Sequence, residues 1–276
     1  MMSEDNILMK LYKDPRTIYT LLWLSLVIPY LNPVGLPISI DSKTQEAYDL
    51  INTLQTGDVV MFSVDISAGA WGELAAGGKV LIQNLFEIPG LKLVFVNFDS
   101  QGQLFADRLL NSINKHGKEY GIDYVLLGFV PGGKSVGGAA LAEDIHSVFS
   151  KDFYGTSIDT LEIMDDIKSH EDIDMIIDVD WGSGTEAFLY QWVGPYDSIL
   201  VAHMTNQMAP TFEPHYNAGN IKGFIVGVRG AAEYELLANI PGVGVATTDA
   251  LSTSHLLVVI SIIVGNIIFF RLERRK

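Results

Sequence analysis

The sequence has 276 residues and no cysteine, and 48% of the residues are hydrophobic. This length allows one sizeable domain together with membrane segments, and the absence of cysteine excludes disulfides, thiolate chemistry and metal sites with cysteine ligands. Residues 41–250 hold 29 acidic residues against 11 Lys and Arg, so this segment should repel nucleic acid and anionic lipid head groups.

The first predicted membrane helix covers residues 17–32 and follows an N-terminal tail, residues 1–16. Asp14 and Pro15 are typical of a helix start, and the helix should end in the Asn-Pro-Val-Gly-Leu-Pro segment at 32–37. A cleaved signal peptide is the alternative to a membrane anchor. We favour an uncleaved anchor because no small-x-small cleavage site follows, and prolines crowd the place where one would lie.

The second predicted membrane helix covers residues 251–270, close to the roughly 20 residues that a bilayer crossing needs. A basic tail follows it at residues 271–276. Lys and Arg concentrate before the first span and after the second. Because positive charge is retained in the cytoplasm, we expect both termini there and residues 33–250 as an extracytoplasmic domain at the cell membrane.

The second span carries residues that are typical of helix association. Ser261 and Gly265 lie four residues apart, which permits a close approach of two helices, and Asn266 should seek a hydrogen-bond partner in apolar surroundings. Besides the lipid bilayer, the predicted partner is a second copy of the chain, another membrane protein or the first span.

Between the spans, six short apolar runs predict β-strands: 58–65, 91–98, 123–130, 173–179, 198–204 and 223–228. Segments with helical periodicity alternate with them, most clearly at 44–54 and 103–120. This alternation predicts an α/β domain with an open, doubly wound, Rossmann-like and mostly parallel sheet of about six strands. The connection at 149–170 is long, which indicates either a lid over the sheet edge or a packed surface excursion.

Ligands of open α/β sheets bind beyond the carboxyl ends of the strands, so polar residues just after each predicted strand are candidate ligand-binding residues. Two simpler roles compete with binding. His203 would be a buried, hydrogen-bonded histidine, and Arg229 would form an ion pair with Glu233 one helical turn later. The candidates are Asp65, Glu73, Asp99, Lys134, Ser135, His203, Asn206, Arg229 and Glu233.

The segment at 128–135, Gly-Phe-Val-Pro-Gly-Gly-Lys-Ser, matches the pattern of a phosphate-binding loop. In such a loop backbone N–H groups hold the phosphates, the lysine reaches the terminal phosphate and the serine contacts magnesium. However, Pro131 removes one N–H donor, and Gly137 and Gly138 make a poor helix opening. We therefore favour a glycine-rich turn that leads into a helix, with nucleotide hydrolysis as the alternative.

Asp178 and Asp180 alternate at the end of the fourth predicted strand, so both side chains should lie on one face of the sheet. Their oxygens are suitable ligands for Mg²⁺ or Ca²⁺, and a divalent cation is the cofactor that the pair indicates. Alternatively, Asp180 caps the turn that follows it.

Three segments together resemble an uncharacterised group of prokaryotic membrane proteins with an α/β domain held between two spans. They are Pro29-Tyr-Leu-Asn-Pro-Val-Gly-Leu-Pro37, Tyr120-Gly-Ile-Asp-Tyr-Val-Leu-Leu-Gly128 and Gly230-Ala-Ala-Glu-Tyr-Glu235. The resemblance implies this architecture and no activity. We expect a non-enzymatic ligand-binding or assembly module of a membrane complex. The alternative is an enzyme that hydrolyses nucleotides or phosphoesters with a metal or phosphate site at the strand-end Asp and Lys side chains.

Overall fold

The computed structural model describes residues 14–182, 184–240 and 242–270. The chain divides into two compact units, residues 38–242 and residues 1–37 together with 243–276. The predicted basic tail at 271–276 and most of the predicted N-terminal tail lie outside the described residues.

The larger unit is built on one sheet of six strands. In chain order they are β1 (Val59–Asp65), β2 (Lys92–Asn97), β3 (Tyr124–Phe129), β4 (Met175–Asp180), β5 (Leu200–Met204) and β6 (Gly223–Val226). All neighbouring strands are parallel, in the order β3-β2-β1-β4-β5-β6. The prediction of a doubly wound parallel sheet is confirmed. The chain reverses its direction of winding between β1 and β4, which makes this pair the topological switch point.

Helices connect the strands and also form the smaller unit. In chain order they are α1 (Pro15–Leu31), α2 (Ser42–Ile51), α3 (Trp71–Glu87), α4 (Gly102–Leu110), α5 (Gly138–Glu143), α6 (Ile145–Val148), α7 (Gly184–Phe188), α8 (Gly194–Tyr196), α9 (Ala209–Asn217), α10 (Gly227–Leu237) and α11 (Val243–Ile268). A π-helical segment, Gly133–Gly137, leads into α5, and another, Leu189–Val193, joins α7 to α8.

The sheet lies between two apolar layers because successive strand residues point to opposite faces. Val60, Phe62 and Val64 of β1 face the layer that contains α2, α3, α4 and α10. Val59 and Met61 face the layer that contains α5, α7 and α9. Both faces are thus buried, which explains why the strands read as nearly continuous apolar runs in the sequence.

Helix α4 is shorter than the periodicity predicts, because it ends at Leu110 rather than near residue 120. Asn111 follows as the C-cap residue, and its side-chain amide bonds to Asp107 of the preceding turn. Further on, His116 and Gly117 adopt positive φ angles of 50° and 82°. Asparagine and glycine are weak helix formers, so this segment turns back toward β3 instead of extending the helix.

The long connection at 149–170 is a packed excursion and not a lid. It forms the short 3₁₀ turns Ile158–Thr160 and Glu162–Met164. Ile158, Ile163 and Ile167 are buried in the same apolar layer as α5 and α7. These contacts hold the connection against the face of the sheet.

In the smaller unit, α11 is the one helix among the described residues that is long and apolar enough to cross a membrane. Helix α1 has 17 residues, which at about 1.5 Å per residue is roughly 26 Å, short of a hydrocarbon core of about 30 Å. The structure therefore supports one candidate span, at Val243–Ile268, and not the two that the sequence predicts. The helix also begins eight residues before the predicted span, at 243 rather than 251.

Helices α1 and α11 are joined by polar contacts within their unit. The buried carboxylate of Asp249 accepts hydrogen bonds from the backbone N–H groups of Gly35 at 2.8 Å and Leu36 at 3.1 Å. The hydroxyl of Thr253 donates to the carbonyl oxygen of Ser25 at 2.7 Å. These bonds fix the segment after α1 against the first half of α11.

Candidate functional site

A buried polar cluster occupies the topological switch point. The register pairs Ser63 of β1 with Asp178 of β4, and Asp65 with Asp180. Because paired residues of parallel strands lie on the same face, all four side chains share the face covered by α7. All four residues are fully buried.

Backbone and hydroxyl groups hold these carboxyl groups in place. Asp65 Oδ1 accepts the N–H groups of Phe98 and Asp99, both at 2.6 Å, and Asp65 Oδ2 accepts the hydroxyl of Ser63 at 2.7 Å. The same Asp99 uses its own carboxylate to accept Trp181 Nε1 at 3.1 Å. The cluster thus fixes the turn after β2 to the ends of β1 and β4.

Helix α7 covers the cluster on this face of the sheet. Thr185 donates its backbone N–H to Asp180 Oδ2 at 3.0 Å and its hydroxyl to Asp178 Oδ2. A Cβ atom at Gly184 would lie 2.1 Å from Asp65 Oδ2, so only glycine allows this approach. The other oxygen of Asp178, Oδ1, is buried and has no hydrogen-bond partner among the described residues.

Burial changes the protonation of these carboxyl groups. It raises the pKa of Asp65 from 3.8 to about 8, and the negative charge of Asp180 contributes in the same direction. Burial, followed by the charges of Asp180 and Asp65, also raises the pKa of Asp178 well above its usual value. Asp65, with its pKa of about 8, is therefore mostly protonated at neutral pH.

The predicted cation site at Asp178 and Asp180 lies inside this closed cluster. Among residues 14–182, 184–240 and 242–270, no group of three or more His, Asp and Glu side chains has the arrangement of a metal site. Gly184 and Thr185 occupy the space in front of the two carboxyl groups. A divalent cation at this pair stays a prediction that would require α7 to move.

The glycine-rich segment at 128–135 forms a turn that leads into a helix. Gly132 and Gly133 have φ angles of 87° and 68°, and the helical segment begins at Gly133. Lys134 forms an ion pair with Glu186 of α7, and Ser135 is exposed. The turn follows β3, an edge strand two positions away from the switch point.

His203 lies inside β5 rather than at the end of the sheet. Its ring is fully buried, and Nδ1 donates to the carbonyl oxygen of Ile225 at 3.2 Å. A Cβ atom at Gly77 of α3 would lie 2.1 Å from Nε2, so the ring fills the space beside that glycine. Burial lowers the pKa of His203 to about 4, and the ring is neutral at neutral pH.

A second polar region is open. A cleft of about 320 Å³ lies at the carboxyl end of β6, between α2, α9 and the first turn of α10. Ala209, Pro210, Phe224 and Val226 form its apolar part. Its polar part contains three of the predicted residues, Asn206, Arg229 and Glu233, together with Asp41, Lys43 and Glu213, which the sequence prediction did not include.

Arg229 is fixed on one side and open on the other. Its Nε donates to Glu233 Oε1 at 3.0 Å, and Nη2 donates to the carbonyl and hydroxyl oxygens of Ser39 at 3.2 and 2.9 Å. Nη1 has no partner among the described residues, and 62% of the side chain is exposed. The pair with Glu233 orients the guanidinium group and leaves one amino group available.

Glu233 also fixes the position of Asp41. The buried Glu233 carboxylate accepts the backbone N–H of Asp41 through Oε2 at 3.1 Å, while Oε1 accepts Arg229. Asp41 in turn caps α2, because its Oδ1 accepts the N–H of Lys43 at 3.0 Å. One buried carboxylate therefore places Arg229 and Asp41 side by side at the cleft.

Glu73 and Asn206 form the remaining predicted pair. Glu73 Oε1 accepts both the backbone N–H and the side-chain amide of Asn206, each at 2.6 Å. A Cβ atom at Gly227 would lie 2.1 Å from Asn206 Nδ2, and the φ angle of +58° at Gly227 also favours glycine. The amide nitrogen of Asn206 is thus engaged, and its oxygen has no partner among the described residues.

Comparison of the chain with protein-family models, with curated proteins and with solved structures finds no match.

Proposed function

We propose that the chain is a membrane-attached binding module whose cleft beside Arg229 receives a small polar molecule. The cleft carries this proposal: its volume of about 320 Å³ falls within the range of roughly 300–1,000 Å³ that is common for small-molecule sites. It combines apolar walls with a few charged groups held by hydrogen bonds, which is the usual composition of such sites.

Helix α11 supplies the membrane attachment in this proposal. Thr253 of α11 bonds to Ser25 of α1, and Asp249 of α11 bonds to the segment after α1. We therefore place both helices in the bilayer as a hairpin, although α1 is short for a full crossing. The excess of Lys and Arg before α1 and after α11 then orients both termini toward the cytoplasm. The α/β unit is extracytoplasmic in this arrangement, where its ligand would come from outside the cell.

Binding is favoured over phosphoester hydrolysis by the state of the catalytic candidates. Thr185 covers Asp178 and Asp180, so hydrolysis that uses these carboxyl groups would require α7 to move. Lys134 is paired with Glu186 at the surface. Binding in the cleft uses groups that are already accessible.

Thermal unfolding of the full chain in detergent tests the proposal, because a ligand that binds the folded state raises the unfolding midpoint. The panel contains valine, isovalerate, isobutylamine, glucose, inorganic phosphate, Mg²⁺, Ca²⁺ and ATP. We expect at least one shift that is lost in Arg229→Gln and in the cleft-filling variant Val226→Phe, and is kept in Lys168→Gln, an exposed position elsewhere.

The panel also separates the two functions. A shift with Mg²⁺ or ATP that is kept in Arg229→Gln and lost in Lys134→Gln would support the hydrolytic enzyme instead. If no compound gave a shift that depended on Arg229 or Val226, the binding function of the cleft would be wrong.

A further inference from the structure

The charges around the cleft do not balance. Asp41, Glu213 and Glu233 are acidic, and Lys43 and Arg229 are basic. Lys43 is paired with Glu213, and Arg229 is paired with Glu233. The carboxylate of Asp41 is the charge that remains without a basic partner among the described residues.

Two unsatisfied groups of opposite character therefore lie next to each other. Arg229 offers the N–H groups of Nη1, while Asp41 offers its second carboxylate oxygen, since Oδ1 already caps α2. The two oxygens of the Glu233 carboxylate accept the backbone N–H of Asp41 and the Nε of Arg229, so one carboxylate contacts both residues. Both side chains line the same cleft.

A simple anion would satisfy Arg229 and be repelled by the surplus negative charge of Asp41. A simple cation would pair with Asp41 and leave the N–H groups of Arg229 without a partner. A molecule that carries a carboxylate and an ammonium on the same carbon satisfies both groups, and charge-assisted hydrogen bonds of this kind are among the stronger polar contacts. The uncommitted oxygen of Asn206 is a further acceptor at the same cleft.

The apolar part of the cleft suits the remainder of such a molecule. Phe224, Val226, Ala209 and Pro210 form a wall without charged groups. An aliphatic side chain placed against this wall would bury apolar surface, which favours binding.

We propose that the cleft binds a free α-amino acid with an aliphatic side chain. Its carboxylate contacts the Nη1 group of Arg229, and its ammonium contacts Asp41. This ligand class rests on the proposed binding function and extends it from a small polar molecule to a zwitterion.

Isothermal titration calorimetry on the full chain in detergent tests the ligand class with three matched probes. Valine carries both charges, isovalerate lacks the ammonium, and isobutylamine lacks the carboxylate. We expect valine to bind at least tenfold more tightly than either analogue, because each analogue loses a hydrogen bond between charged groups. Inorganic phosphate serves as the probe for a simple anion.

Variants at the two charged positions add a second readout. Asp41→Asn keeps the helix cap, since asparagine also caps helices, and removes the charge. We expect it to reduce valine affinity about tenfold and to leave isovalerate affinity unchanged or improved. Asp49→Asn, on the same helix outside the cleft, is the matched control and should bind like the parent chain.

The outcomes separate the proposed ligand class from the proposed binding site. If isovalerate or phosphate bound as tightly as valine, and this binding required Arg229, the zwitterionic ligand would be wrong, and binding in the cleft would still be supported. If Asp41→Asn lost no valine affinity, the ammonium contact would be wrong. Absence of binding by all four probes would overturn the ligand class, and the wider thermal-unfolding panel then decides whether the cleft binds anything else.

Discussion

Asp65, Asp178 and Asp180 lie buried between β1, β4 and the start of α7. Three carboxyl groups this close cannot all ionise without water, so burial and the charge of Asp180 raise the pKa of Asp65 and of Asp178. A protonated carboxyl group can still accept the backbone N–H groups that hold the turn after β2. The cluster thus stabilises the junction of the two halves of the sheet as long as it keeps its protons.

Stability should consequently fall as the pH rises through the pKa of Asp65. With a pKa near 3.8 in the unfolded chain and about 8 in the folded one, the folded state binds the extra proton between these values. The contribution is complete below about pH 4 and lost above pH 8, so the free energy of unfolding should drop by about 1 kcal/mol between pH 7 and pH 9.

The variant Asp65→Asn isolates this effect, because an amide has the shape of a protonated carboxyl group and does not titrate. Urea denaturation at pH 7 and pH 9 should show a smaller drop for the variant than for the parent chain. The pKa of His203 is lowered to about 4, so its titration changes the stability only below about pH 6.5. It therefore contributes nothing to the difference between pH 7 and pH 9 in either chain. An equal drop in both chains would contradict the assignment.

Gly184 makes this cluster possible by its lack of a side chain. In Gly184→Ala the methyl group would lie 2.1 Å from Asp65 Oδ2 and 3.0 Å from Asp178 Oδ1, so α7 must move away from the sheet. We expect a loss of about 1–3 kcal/mol in the free energy of unfolding, as for overpacked cores. Gly72→Ala is the control: it lies in α3 with no atom within 4 Å of the new methyl group, and should be neutral or stabilising.

At the scale of elements, the second half of α11 has apolar side chains on its exposed surface. Leu256, Ile260 and Val264 are among those that are about half exposed. Asn266 lies on this surface as well and is exposed without a hydrogen-bond partner among the described residues. Its amide makes no bond to the described residues of α1, and a second copy or another membrane protein stays the predicted partner.

Replacing this amide tests the association. If two copies meet through α11, Asn266→Leu should weaken self-association in detergent roughly 3- to 30-fold, the range that corresponds to about 0.6–2 kcal/mol for a hydrogen bond between membrane helices. Sedimentation equilibrium measures the dissociation constant, with Ile267→Leu as the control on the same turn. Unchanged association in Asn266→Leu would exclude the amide as a contact between copies.

The six strands were predictable from the sequence because both sheet faces are buried, so each strand is an apolar run bounded by turn residues. The end of α4 was not predictable from the sequence. The helical spacing of apolar residues continues past Leu110, whereas the chain turns at Asn111 and Gly117. Helix α11 was located by its composition, although its start was placed too late. The polar residues at 247–249 continue the helix there, with Thr247 bonding back to the carbonyl of Val243.

At the scale of the whole molecule, the rule that ligands bind at strand ends identified only part of each site. It selected Arg229, Glu233 and Asn206, which the cleft does bring together. It missed Asp41 and Lys43 because α2 packs against β6, roughly 180 residues further along the chain, and a single sequence carries no signal for that contact. It also did not show that Asp65 joins Asp178 and Asp180, since this depends on which strands are neighbours.

The orientation of the chain in the membrane is testable because the sequence has no cysteine. Ser150 is exposed in the α/β unit, so Ser150→Cys introduces a single accessible thiol. With the proposed topology, a membrane-impermeant maleimide should label it in intact cells, and a cysteine at Ser3 should react only after the membrane is opened. Labelling at Ser3 with protection at 150 would reverse the orientation, direct the cleft to cytoplasmic amino acids and make nucleotide binding at Lys134 worth testing again. Labelling at both positions would instead mean that α1 does not cross the membrane, and α11 would then be the one span.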